Sequence, residues 1–233
     1  MYKRILLKLS GEVLSGEDKK GFDDNSLEYL AEEIKDVVKH GIKLGMVIGA
    51  GNLFRGRELQ NVTNSIGDHI GMLGTVINAL YLKDYFEKKG IKTVVVSQIV
   101  NLPSVRIIHY DDIELYFDAG YVVIFAGGTS NPFFTTDTAA ALRAVEMKAD
   151  VLIKATKVDG IYDKDPKKFK EAKKYDKITY DEAINLDLKI MDTEAFSICK
   201  RYKMPIIVLN FFEKNNLINS LISNSNVGTF VKP

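Results

Sequence analysis

Six short, almost continuously apolar runs punctuate the chain at residues 4–9, 44–48, 93–97, 121–125, 150–154 and 205–209. Each has strand length, and its few polar residues lie at or near its ends. A strand that is apolar on both faces must be covered on both, which is the situation of a parallel sheet. Parallel neighbours cannot be joined by a hairpin, so long crossovers are needed. The intervening segments supply them. Leu27, Leu30, Ala31, Ile34, Val37 and Val38 recur at helical spacing, with Asn25 or Ser26 as cap and Gly41 as stop. Residues 64–89 predict a long helix with Ile70, Leu73, Val76, Ile77, Leu80 and Tyr81 as its apolar stripe. Further helices are predicted over 110–119, 138–148, 181–184, the segment after Met191-Asp192, and 216–222, with a last short strand at 228–231. This alternation predicts an α/β fold: a three-layer α/β/α sandwich with a mostly parallel central sheet. Residues 12–24 read as a long polar loop and 167–176 as a lysine-rich solvated excursion. No linker, repeat or low-complexity tract divides the 233 residues, so a single domain over 1–233 is expected.

Several function classes lose support on composition alone. A net charge of +1 gives no general pull toward nucleic acid or membrane, and no basic stripe with interleaved aromatics appears. No apolar run approaches the ~20 residues of a bilayer span. The first apolar stretch, Ile5-Leu6-Leu7, is too short for a signal-peptide core. Cys199 is the only cysteine, which suits a reducing compartment, and a cytoplasmic location is expected. His40, His69 and His109 are widely separated, so no zinc cluster is expected. Neither a nucleophile elbow nor a Walker-type phosphate loop is present.

The chemistry gathers where strands end. Lys8 lies near the end of the first run, before Ser10-Gly11, and Lys154 ends the fifth. A lysine at the end of a buried strand either snorkels to solvent or pairs with an anion, and phosphate is the functional reading of both. After the second run, residues 49–57 contain Gly49 and Gly51, then Arg55, Gly56 and Arg57. Arg55 could grip a phosphate through two oxygens or form a surface ion pair. Asp68, in the first turn of the long helix, could complement its dipole or accept from a sugar hydroxyl. The stretch after the fourth run, residues 126–137, combines Gly127 and Gly128 with Thr129, Ser130, Thr135, Thr136 and Asp137 ahead of a helix. Thr135, Thr136 or Asp137 can cap that helix, whose N-terminus is suited to an anion. Asp137 could orient the lysines or bind Mg²⁺, while helix capping is the plain alternative for it and for Asp192. Phe133 and Phe134 could pack or meet a base. Cations around glycine loops suit phosphoryl transfer, which needs positioning and positive charge rather than covalent chemistry.

With these residues in view, the chain resembles the bacterial UMP kinases of the amino acid kinase superfamily. The matching segments are residues 2–12, 47–56, 67–72, 131–137 (Asn-Pro-Phe-Phe-Thr-Thr-Asp), 154–162 (Lys-Ala-Thr-Lys-Val-Asp-Gly-Ile-Tyr) and 189–192. The resemblance implies transfer of the ATP γ-phosphoryl group to UMP with Mg²⁺, in pyrimidine nucleotide biosynthesis. It implies that Lys8, Leu9, Ser10, Gly11, Gly51, Arg55, Thr156, Tyr162 and Asp165 serve ATP. Ala50, Asp68 and Thr129, Ser130, Asn131, Pro132, Phe133, Phe134, Thr135 and Thr136 would serve UMP. Lys8, Arg55, Asp137, Lys154 and Asp192 would be catalytic, with Mg²⁺ held mainly by ATP phosphates and no direct protein ligand assigned. The acceptor side would fall in residues 1–150 and the ATP nucleoside side in 151–233. A homohexamer, activation by GTP and inhibition by UTP are also implied. Ala50 and Ser130 stand where glycine is common in such enzymes, Lys83 where some have arginine, and residues 16–21 are charge-rich. The alternatives are a sister kinase for another small acceptor and a non-catalytic nucleotide sensor.

Overall fold

In a computed structural model, residues 2–54, 61–166, 168–222 and 227–233 are described. The strands are β1 (Arg4–Leu9), β2 (Lys43–Ile48), β3 (Thr93–Ser97), β4 (Arg106–Ile107), β5 (Val122–Ala126), β6 (Val151–Thr156), β7 (Ile161–Tyr162), β8 (Lys174–Tyr175), β9 (Lys177–Thr179), β10 (Ile206–Asn210) and β11 (Thr229–Lys232). The helices are α1 (Asp24–Lys39), α2 (Asn64–Lys88), α3 (Tyr110–Asp118), α4 (Thr136–Glu146), α5 (Tyr180–Asn185), α6 (Thr193–Arg201) and α7 (Asn216–Ile222). Nine strands form one sheet in the order β4-β3-β5-β2-β1-β6-β10-β11-β9, and only the β10–β11 pairing is antiparallel. The predicted α/β sandwich is therefore the observed one.

The alternation of side chains along β1 divides the core. Ile5, Leu7 and Leu9 join Leu27, Leu30 and Ile34 of α1, Val76, Leu82 and Phe86 of α2, and Leu217 and Leu221 of α7 in one apolar layer. Leu6 points the other way, into a second layer with Ile113 and Phe117 of α3, Ala140 and Ala144 of α4, Ala183 of α5 and Cys199 of α6. Because β5, β2, β1, β6 and β10 run parallel, their C-terminal ends share one edge. In open parallel sheets that edge is where ligands bind.

Four local expectations change. Residues 11–14 are not polar loop but a 3₁₀ turn (Gly11–Leu14), started by Ser10 and burying Val13 and Leu14 in the core. Asp23, not Asn25 or Ser26, sits at the N-cap of α1, without a side-chain cap bond. The excursion at 167–176 contains β8, which pairs antiparallel with β7 as a small separate hairpin. The stripe of α2 is rotated: Leu73, Ile77 and Tyr81 are 49%, 46% and 41% exposed, while Met72, Thr75, Val76, Asn78, Ala79, Leu82 and Phe86 face inward. Apolar residues occur all round this helix, so periodicity alone did not say which face is buried.

Candidate active site

Lys8 of β1 and Lys154 of β6 are direct register partners on adjacent strands, on the face covered by α4 and α6. Like charges in such positions repel. They are reconciled by Asp137, in the first turn of α4. Its Oδ2 accepts from Lys154 Nζ at 2.7 Å, and its Oδ1 lies 2.5 Å from Lys8 Nζ. The three side chains are only 13%, 12% and 19% exposed for Lys8, Asp137 and Lys154. Burial pushes the Asp137 carboxyl up, but Lys8 and Lys154 outweigh burial and hold it below its usual range. Burial pushes Lys154 down, and Asp137 only partly restores it against the repulsion of Lys8. Lys154 Nζ also donates to the Ile190 carbonyl at 2.6 Å. The result is a preorganised cationic pair, locked in place by one carboxylate.

Three loops at the ends of β1, β2 and β5 surround this triad. Gly11 is jammed against the second loop: a Cβ there would sit 2.5 Å from both Gly49 O and Asn52 Oδ1. Only glycine permits that approach. Gly49 N in turn donates to Leu9 O at 3.0 Å. Leu9 is wholly buried, so it offers a ligand no side chain. Ala50 packs against α2, where a Cβ on Gly74 would lie 2.7 Å from the Ala50 Cβ. Gly51 N lies 2.8 Å from the position a Gly11 Cβ would take. Arg55 lies outside the described residues.

The loop after β5 turns through Gly127 (φ 87°) and Gly128 (φ 59°). Thr129 Oγ1 donates to Asn131 O at 2.9 Å and accepts from Asn131 N at 3.2 Å. Asp68 reaches across from α2, and its Oδ2 accepts from Phe133 N at 2.7 Å. Phe133 and Phe134 are 74% and 48% exposed, so neither packs in the core; both stand beside the site. Thr135 is the cap of α4, its Oγ1 accepting from Asp137 N at 3.0 Å. Thr136 Oγ1 lies 3.5 Å from the position a Gly49 Cβ would take, so the second and third loops meet there. Asp192 is the cap of α6, accepting from Ala195 N at 2.7 Å and Thr138 Oγ1 at 3.0 Å, and it accepts from Thr135 Oγ1 as well. It joins the starts of α4 and α6 rather than touching Lys8 or Lys154.

Toward β10 the site continues along β6. Thr156 Oγ1 accepts from Val158 N at 3.1 Å and folds the chain back after the strand. Tyr162 donates to Asp159 at 2.7 Å, and Lys174 reaches the same carboxylate at 3.3 Å. The Asp165 carbonyl accepts from Lys168 N and Phe169 N, both at 3.0 Å. Among the described residues no group of three His, Cys, Asp or Glu side chains could hold a metal. Asp137, the best-placed carboxylate, already has both oxygens against lysines.

Three positioning residues were not found from the sequence. Asn52 and Asn78 exchange two amide bonds (3.0 and 2.7 Å), and Asn78 also donates to Gly49 O at 2.8 Å. Thr75 Oγ1 accepts from Gly127 N at 2.8 Å. The available signal was two buried polar residues inside an apolar helix, which need partners.

Residues 3–210 match the Amino acid kinase family. The chain is 72% identical to a protein of Fervidobacterium nodosum named "Uridylate kinase", covering 100% of this chain and 99% of that protein. It is 70% identical to a Thermosipho melanesiensis protein of the same name, covering all of both. Its fold matches a Bacillus anthracis UMP kinase crystal structure with TM-score 0.95 and 35% identity, covering 99% of this chain and 96% of the other. A Ureaplasma parvum UMP kinase structure matches with TM-score 0.93 and 31% identity over 100% of both. The chain therefore belongs to the amino acid kinase family and, within it, to the uridylate (UMP) kinases.

Proposed function

We propose that this protein is an ATP-dependent UMP kinase that transfers the γ-phosphoryl group of ATP to UMP, giving UDP for pyrimidine nucleotide biosynthesis. The carrying observation is the Lys8–Asp137–Lys154 arrangement at the shared C-terminal edge of β1 and β6. Phosphoryl transfer spreads negative charge over the transferred group and the leaving oxygen. Two lysines fixed in register hold positive charge there before the reaction begins, so little reorganisation is needed. Asp137 acts as a positioning group that keeps both ammonium groups aimed, and Asp192 as one that holds the cap of α4. No general base is required of the protein. The second pKa of a phosphate monoester is about 6, so UMP is mostly a dianion at neutral pH and attacks directly.

ATP would enter as its Mg²⁺ complex, the metal held mainly by the ATP phosphates. Ser10, Gly11, Gly51 and Arg55 would hold its phosphates, with Thr156, Tyr162 and Asp165 toward its nucleoside. Asp68 and residues 129–136 would receive UMP, the exposed Phe133 and Phe134 lying on its base side. The acceptor half is thus built from residues 1–150 and the donor nucleoside half from 151–233. Assembly as a homohexamer belongs to the same reading, and the exposed apolar stripe Ile66, Leu73 and Ile77 of α2 offers a face for self-association. GTP activation, UTP inhibition and a cytoplasmic location belong to the same reading. No helix among the described residues is long and apolar enough to cross a membrane.

An ADP-release assay across UMP, CMP, dUMP and glutamate tests it. UMP is expected to support turnover, CMP much less and glutamate none. Turnover of an amino acid with UMP inert would overturn the proposal in favour of a sister kinase. Lys8→Ala that loses turnover but still binds nucleotide would rule out a sensor.

A further inference from the structure

Two non-glycine residues in the acceptor loop have left-handed backbones: Ser130 at φ 71° and Phe133 at φ 72°. Side chains disfavour that region, so something outside the loop must hold it there. Phe133 is held through its N–H by Asp68. Ser130 is held from the other side: its Oγ donates to Gln98 Oε1 at 3.0 Å. Gln98 directly follows β3 and is itself held. Arg143 Nη2 donates to the same Oε1 at 3.4 Å, and Gln98 Nε2 donates to the Tyr110 hydroxyl at 3.4 Å. Arg143 is 3% exposed and is gripped by Glu146 Oε2 at 2.6 Å. It also donates to Tyr110 Oη at 3.1 Å, and Tyr110 donates to Glu146 Oε1 at 2.8 Å. A buried guanidinium needs such partners, and its fork fixes where each must lie. Arg143 and Asp137 belong to the same helix, α4. One rigid element thus anchors both the carboxylate between the lysines and the far side of the acceptor loop.

We infer that Gln98, fixed by Arg143, is a positioning residue that holds Ser130 and the acceptor loop in the shape that receives the acceptor phosphate ester. The inference rests on the reading of residues 129–136 as the acceptor wall. Without Gln98 the loop spends less time in the competent shape. Apparent acceptor affinity falls in proportion, while the complex once formed is unchanged. A buttress that only braces α3 against α4 would instead lower stability and affect both substrates.

The test is steady-state kinetics on the full chain as wild type, Gln98→Ala, Ser130→Gly and the double variant. Loss of one partly exposed hydrogen bond should raise the UMP KM about three- to tenfold in Gln98→Ala, with kcat and the ATP KM within about twofold of wild type. In the Ser130→Gly background, where no Oγ is present, Gln98→Ala should leave the UMP KM unchanged. An unaltered UMP KM in Gln98→Ala overturns the inference. So does an equal loss for both substrates with a lower melting temperature, or the same effect of Gln98→Ala in both backgrounds. A wild type inert toward UMP overturns the parent reading together with this one, whereas a wild type active on UMP with an indifferent Gln98 overturns this one alone.

Discussion

Asp137→Asn isolates the electrostatics of the site, because asparagine keeps the shape and removes the charge. In the native chain one carboxylate lies within 2.7 Å of two ammonium groups, all three side chains less than one-fifth exposed. Removing one partner of a buried ion pair costs about 3–5 kcal/mol, since the other charge is left uncompensated. Here two cations lose their common partner, but Lys154 already holds its proton less tightly than an ordinary lysine, and both ammonium side chains keep some contact with solvent. We therefore expect a loss near the lower end, about 3 kcal/mol at pH 7. At about 2–4 °C per kcal/mol for a chain of this size, melting should fall by about 6–12 °C. The pH dependence gives the sharper test. Without Asp137, Lys154 releases its proton in the folded state at still lower pH, while the unfolded chain keeps it to about pH 10.4. The unfolded state then binds more protons, so the variant gains stability as pH rises. The native Asp137 carboxyl, held below its usual range, contributes stability above about pH 3.9 that is lost as pH falls through its folded value. The gap between wild type and variant should thus be widest near neutrality and narrow toward pH 9 and toward pH 3. Urea unfolding across that range measures it, and turnover at pH 7 should drop at least about a hundredfold. A variant as stable as wild type at pH 7, or one that falls further behind at pH 9, would refute the reasoning.

Three other outcomes follow from single residues. Gly11→Ala should lower stability by about 1–3 kcal/mol and raise KM for both nucleotides, because its Cβ would press to 2.5 Å on the Gly49 carbonyl; calorimetry and kinetics read both effects. Glu33 is 5% exposed, its Oε1 accepts from Asn215 N at 3.0 Å, and its Oε2 has no hydrogen-bond partner among the described residues. Burial pushes its carboxyl up, so the folded chain loses stability as pH rises from the unfolded value through the folded one; Glu33→Gln should melt above wild type at pH 7.5 and lose that advantage near pH 4. Burial pushes the Cys199 thiol up to about 12, so iodoacetamide at pH 8 should leave the native chain unlabelled and alkylate it in urea, as mass spectrometry would show.

The central strands were legible because burial on both faces writes a nearly unbroken apolar run, and six of the parallel-paired strands show one. The two- and three-residue strands β4, β7, β8 and β9 were not, since so short a pairing leaves no period to read. On α2 the pattern misled. Inward Thr75 and Asn78 are polar, because they serve the loops at Gly127 and Gly49, while outward Ile66, Leu73 and Ile77 are apolar. Function and exposure thus inverted the usual polarity of a surface helix. The site residues on strand ends were legible singly, as lysines in positions that need an anion. Gln98 and Arg143 were not, for a polar residue after a strand and an arginine on a helix look ordinary until the fold brings them together.

The sheet order is what turns those single lysines into a site. Lys8 and Lys154 are distant in sequence, and nothing local says that β1 lies between β2 and β6. Once it does, parallel register places the two ammonium groups side by side on the face of α4, an arrangement that repulsion would oppose. The start of α4 must then carry a carboxylate, and Thr135 must cap that helix so the carboxylate points inward. The same helix N-terminus and the neighbouring glycine loops offer N–H groups to an anion. A carboxylate shared between two cations leaves a net positive charge, so the locked triad still attracts a polyphosphate. With only one lysine opposite Asp137 the pair would be neutral and that attraction would vanish; the two-to-one ratio is what lets one arrangement be stable when empty and reactive when filled.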